Sequence, residues 1–156
     1  MSAHKARGWL DKLKAEIDKN PKVIMSGINH RWPWRGGIGW PYFFVETDLV
    51  IQTGKNTVLI EVDNSAGASA LSNVAKYVEL LCSNYAQISK PVLVHIFGPN
   101  FGGKTQRNFR VYMQLCEILA HKLQIKYIER QIFDDNWNEY KFNEQVLELL
   151  KNKHLI

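Results

Sequence analysis

Tyr42-Phe-Phe-Val-Glu46-Thr-Asp48-Leu-Val-Ile-Gln52-Thr53-Gly54-Lys55-Asn56-Thr57-Val-Leu-Ile-Glu61-Val-Asp63 is the stretch that decides the fold. Its two arms, Tyr42 to Gln52 and Thr57 to Asp63, are rich in β-branched and aromatic residues, and Thr53 to Asn56 between them has the composition of a tight turn. With Gly54 and Lys55 as the two turn residues, Ile51 faces Val58, Leu49 faces Ile60 and Thr47 faces Val62. These pairs form one apolar surface. The other surface then sets Asp48 opposite Glu61 and Glu46 opposite Asp63. A turn at Lys55-Asn56 shifts the pairs and keeps the shared face; a three-residue turn breaks it.

Outward from the hairpin, hydrophobic periodicity assigns the remaining elements. Trp9, Leu10, Leu13 and Ile17 recur at helical spacing over residues 4–19, and Asn20-Pro21 ends that helix. Lys22 to Ile28 reads as a short strand, and Asn29 to Trp40 as a loop dense in turn formers and aromatics. Leu71, Val74, Val78 and Leu81 mark one face of a helix over Ser69 to Asn84. Pro91 to Phe97 is an almost continuously apolar strand, Lys104 to Lys122 a helix with a basic start, and Ile125 to Phe133 a last strand. Phe142, Val146, Leu149 and Leu150 mark a closing helix. The order is helix, three strands, helix, strand, helix, strand, helix: an α/β sandwich whose first three strands form an antiparallel meander and whose fourth runs parallel to the third.

At 156 residues the chain is the size of one ordinary domain, 1–156, able to bury a core without disulfide or metal staples. With 46% hydrophobic and 22% charged residues it belongs with globular chains and not with disordered or membrane ones. No apolar run reaches the roughly 20 residues of a transmembrane helix, and Met1 to Asn20 is charged and amphipathic, unlike a secretory signal. The expectation is a cytoplasmic protein. Cys82 and Cys116 fall in separate helical segments, lack a C-x-x-C spacing, and read as buried thiols. The formal net charge of +5, with five tryptophans, suggests a polyanionic partner.

Four carboxylates on one face of a hairpin repel one another, so the block needs solvent, a proton or a bound cation. Magnesium suits it best, because it takes oxygen ligands, keeps waters and bridges one or two carboxylates to a phosphate. Here the chain resembles the PD-(D/E)XK nuclease superfamily, through Thr47-Asp48 on one strand, Glu61-Val62-Asp63 on the next, and the order of elements over most of the chain. The resemblance implies a restriction-endonuclease-like three-layer sandwich with a central mixed sheet, core order helix-strand-strand-strand-helix-strand. It also implies a Mg2+-dependent (or Mn2+-dependent) hydrolase acting on nucleic acid, DNA foremost. By the same resemblance Asp48 and Glu61 hold the metal, Asp63 takes the third motif position, and Glu16 of the first helix is an accessory candidate, as Glu46 is from the hairpin.

Two departures stand out: Thr47 replaces the motif proline, and Asp63 replaces the lysine that orients water and stabilises phosphate charge. Some members carry that lysine on the helix after the third strand, where this chain has Lys76. Asn73-Val-Ala-Lys76-Tyr77 there also looks like the Q-x-x-x-Y element of other members. Asp63 could otherwise join the metal site as a third catalytic carboxylate. A chain of this fold that had lost catalysis would be a nucleic-acid-binding module.

A rival motif is Gly98-Pro-Asn-Phe-Gly-Gly103-Lys104-Thr105, which has P-loop spacing between an apolar strand and a helix. Few strands remain after it to build a nucleotide-binding sheet, so it also reads as a glycine-rich turn. Lys104, Arg107 and Arg110 spread along one helical side and could track a phosphate backbone. Arg31-Trp32-Pro-Trp34-Arg35 suits base stacking, or local core beneath a loop. His95 reads as a core histidine. A nuclease that cuts both strands would favour a homodimer.

Overall fold

The computed structural model describes residues 3–33, 44–63, 69–82, 88–97, 106–131 and 139–156. The chain is α/β: α1 (Ala3–Asp18), β1 (Val23–Pro33), β2 (Phe44–Thr53), β3 (Thr57–Asp63), α2 (Ser69–Cys82), β4 (Pro91–Phe97), α3 (Gln106–Lys122), β5 (Lys126–Gln131) and α4 (Glu139–Asn152). The five strands form one mixed sheet in chain order, β1 to β5. β1, β2 and β3 are antiparallel neighbours, and β3, β4 and β5 run parallel, with α2 and α3 as the crossovers. The element order and strand directions agree with the sequence reading.

Two cores flank the sheet. Trp9, Leu10, Leu13 and Ile17 of α1 and Phe142, Val146 and Leu150 of α4 pack on Leu49, Ile51, Val58, Ile60, Val92, Val94 and Ile96. On the other face Val74 and Tyr77 of α2 and Met113, Cys116 and Ala120 of α3 cover Val50, Leu59, Leu93 and Phe97. β4 is buried on both faces, which explains its lack of alternation. Each fully buried aliphatic side chain contributes about 1.5–3 kcal/mol of transfer free energy. Among the described residues no helix is long and apolar enough to cross a membrane.

The hairpin forms in the expected register, with Gln52 facing Thr57, Ile51 facing Val58, Val50 facing Leu59 and Leu49 facing Ile60. Thr53 N–H reaches Asn56 O at 3.0 Å, and the Thr53 hydroxyl oxygen accepts from the Lys55 and Asn56 N–H groups, closing the Gly54-Lys55 turn.

β1 differs from the sequence reading. It does not stop at Ile28: His30, Arg31 and Trp32 continue it, paired with Thr47, Glu46 and Val45. Between Ile28 and His30, Asn29 has a φ of 47°, a left-handed conformation that asparagine tolerates. Ile28 and Leu49 face the α1 core, yet Trp32 and Val45 belong to the α2 core, so the alternation of faces slips at the level of Asn29 and Asp48 in both strands. Thr47 therefore sits on the α2 face with Trp32, not beside Leu49 as strict alternation required. Cys116 is a buried free thiol, and the Cys82 side chain lies outside the described residues.

Candidate functional site

β3 alternates without a break, so Leu59, Glu61 and Asp63 all point toward α2. Across from them the β2–β3 ladder has its last pair at Leu49–Ile60, and the next contact is made by a side chain: Asp48 Oδ2 accepts the Val62 N–H at 2.8 Å. Asp48 and Glu61 lie close enough there for the Asp48 charge to raise the proton affinity of Glu61.

Glu61 is only 1% exposed. Its Oε2 lies 2.8 Å from Lys76 Nζ, and its Oε1 accepts from the Tyr77 hydroxyl. Tyr77 is itself held within a directed chain: Trp32 Nε1 donates to Thr47 Oγ1 at 2.9 Å, and Thr47 Oγ1 stands 2.7 Å from Tyr77 Oη. Because Tyr77 gives its proton to a carboxylate, the Thr47 hydroxyl donates to Tyr77. The Lys76 ammonium also stands 5.5 Å from the centre of the Tyr77 ring. Lys76, Asn73 and Tyr77 all reach the site from one side of α2.

Burial pushes the Glu61 carboxyl up to about 8, and the Asp48 charge adds to the rise against the pull of Lys76 and Tyr77. Burial also raises Asp48; the Val62 N–H and Lys76 oppose this, and the Asp63 and Glu46 charges reinforce it. Burial holds the Tyr77 hydroxyl well above its usual value, so it is a proton donor at any ordinary pH. A buried Glu61 and a half-buried Asp48 beside one lysine make a site short of positive charge.

Asp63 has other partners. Its Oδ2 accepts from Asn73 Nδ2 at 3.0 Å and lies 2.6 Å from His95 Nε2. His95 Nδ1 is 3.0 Å from Tyr127 Oη. Asp63 thus engages an asparagine and a histidine beside the Asp48–Glu61 pair. Among the described residues no group of three or more His, Cys, Asp or Glu side chains is placed to hold a metal ion. What remains is the Asp48–Glu61 pair, two carboxyls with Lys76 beside them.

The other sequence-derived candidates fall elsewhere. Glu46 pairs with Arg31 at 3.1 Å and reaches the site only through its charge on Asp48. Glu16 belongs to α1, on the opposite face of the sheet, and pairs with Lys19 at 2.5 Å. Arg107 and Arg110 are on α3, but their side chains lie outside the described residues, as do Trp34, Arg35, Lys104 and the whole Gly98–Thr105 segment. Sequence reasoning did not connect Trp32, His95 or Tyr127 with the site, and it placed Thr47 there only as the residue in the motif proline's position. The one available signal was a polar residue, His95, inside an otherwise apolar strand.

No family model and no curated protein matches the chain. The chain is similar to the crystal structure of a protein of unknown function, AF1548, at a TM-score of 0.40 and 13% identity, over 79% of this chain and 56% of that one.

Proposed function

We propose that the chain is a metal-dependent nuclease of the PD-(D/E)XK type, with a restriction-endonuclease-like three-layer sandwich, hydrolysing phosphodiester bonds in nucleic acid. The observation that carries this reading is the convergence of Asp48, Glu61 and Lys76: two facing carboxylates from adjacent strands, and an amine from the next helix 2.8 Å from one of them. This is the arrangement expected if the lysine missing at Asp63 has moved to α2. The formal net charge of +5 is compatible with a polyanionic substrate.

Asp48 and Glu61 would hold the cation, Mg2+ or Mn2+. Bound there, it would supply a water of lowered pKa and neutralise charge on the scissile phosphate. Tyr77 fixes one Glu61 oxygen so that the carboxylate cannot rotate. Lys76, at 25% side-chain exposure, is the cationic group of the site that solvent and a phosphate can reach. Asp63, whose Oδ2 is held by His95 and Asn73, would orient its neighbours, and its Oδ1 is left to face the cation as a third carboxylate.

A second reading has one observation in its favour: both Glu61 oxygens already have protein partners, as in a site that binds nucleic acid without cutting it. Incubation with labelled single- and double-stranded DNA and RNA separates the two, with Mg2+, with Mn2+ and with chelator. The nuclease reading expects metal-dependent cleavage, DNA being the first substrate to try, that Asp48→Asn abolishes while binding is kept. Binding without cleavage in every condition overturns it in favour of the binding module. Neither binding nor cleavage overturns both.

A further inference from the structure

A line of polar side chains runs from β5 across the sheet to α2 and the site. Tyr127 of β5, His95 of β4, Asp63 of β3 and Asn73 and Lys76 of α2 follow one another at 3.0, 2.6, 3.0 and 3.3 Å, and Lys76 then meets Glu61 at 2.8 Å. The links on the α2 side of His95 have a determined direction. Asp63 is a carboxylate and must accept, so His95 Nε2 and Asn73 Nδ2 both donate to it. On its other side His95 Nδ1 lies against Tyr127 Oη, which also hydrogen-bonds Cys116. The donation of Asn73 through Nδ2 leaves Oδ1 as the acceptor for Lys76 Nζ.

His95 is 0% exposed and both ring nitrogens are engaged, so it cannot meet a substrate. A buried histidine satisfied only by its core would not need a carboxylate on one side. Here that carboxylate stands at the motif position where the superfamily resemblance calls for lysine. We propose that His95 is a positioning residue: it fixes the Asp63 carboxylate, which through Asn73 sets the Lys76 ammonium against Glu61. Its bearing on catalysis rests on the nuclease reading; the placement of Lys76 does not.

The test uses the two amides that each keep one ring nitrogen's function. Glutamine can place its amide near the Nε2 position and still donate to Asp63. Asparagine reaches only the Nδ1 position and loses Asp63. The readout is the side-chain ammonium 15N signal of Lys76 in metal-free protein, with cleavage measured alongside. His95→Asn should shift or broaden the Lys76 signal and lower kcat about a hundredfold with KM within about twofold, as expected for a displaced group near the reacting centre. His95→Gln should keep the wild-type Lys76 signal and kcat within about threefold. If His95→Asn does not fold, His95→Phe, closer to the native volume, takes its place against His95→Gln. A Lys76 signal unchanged in both variants, or changed equally in both, overturns the proposal. A wild-type protein that never cleaves overturns the nuclease reading instead, and the Lys76 signal still decides the placement.

Discussion

Replacing Glu61 by glutamine should make the metal-free protein relatively more stable as pH rises. In the folded chain burial and the Asp48 charge push the carboxyl up to about 8, from the ordinary 4.5 of an exposed glutamate. Below pH 4.5 it is protonated in both folded and unfolded chains and contributes no difference. Between 4.5 and about 8 the unfolded chain releases the proton and the folded chain keeps it. Unfolding is therefore favoured by about 1.4 kcal/mol per pH unit, with a ceiling of about 5 kcal/mol over the interval. Above pH 8 both states are ionised and the penalty is constant. Glutamine removes the titration while keeping the shape. Urea denaturation of both proteins in chelator, from pH 4.5 to 8.5, measures the difference. It should move toward the glutamine variant by several kcal/mol, and saturating Mg2+ should shrink it at high pH by binding the wild-type site. A difference that stays constant across the range, or moves toward wild type, refutes the electrostatic account of the site.

Two other substitutions probe how the site is held. Thr47→Val keeps the side-chain shape but leaves the Trp32 indole N–H without its acceptor and Tyr77 without a donor, and should cost about 1–3 kcal/mol in urea denaturation. Asn29→Val should cost about 1–2 kcal/mol because a β-branched residue resists the left-handed conformation, whereas Asn29→Gly should fold normally; equal stability of the two variants would mean that the strand does not need the slip.

Much of the fold was legible because the hairpin and the helices announce themselves through period and punctuation. The Gly54-Lys55 turn fixed the β2–β3 register, and with it the nearness of Asp48 to Glu61. The slip at Asn29 was not legible, since a residue in a left-handed conformation inside a strand leaves no periodic trace. The slip at the level of Asn29 and Asp48 puts Trp32 and Thr47 on the α2 face. Glu16 was misplaced for a different reason: helical spacing gives the buried face of α1 but not which side of the sheet it covers. The partnership of Asp63 with His95 depends on the parallel β3–β4 register, which places Glu61 beside His95 and Asp63 beside Phe97. No local pattern in either strand encodes that alignment.

The most direct test of the account is to locate the cation itself. Crystals of the metal-free protein soaked in Mn2+ should give an anomalous peak between the Asp48 and Glu61 carboxylates, absent from crystals of Asp48→Asn. A wild-type protein that cleaves nucleic acid yet shows its Mn2+ peak elsewhere, or the same peak in the Asp48→Asn crystals, would contradict the assignment of this pair as the metal site.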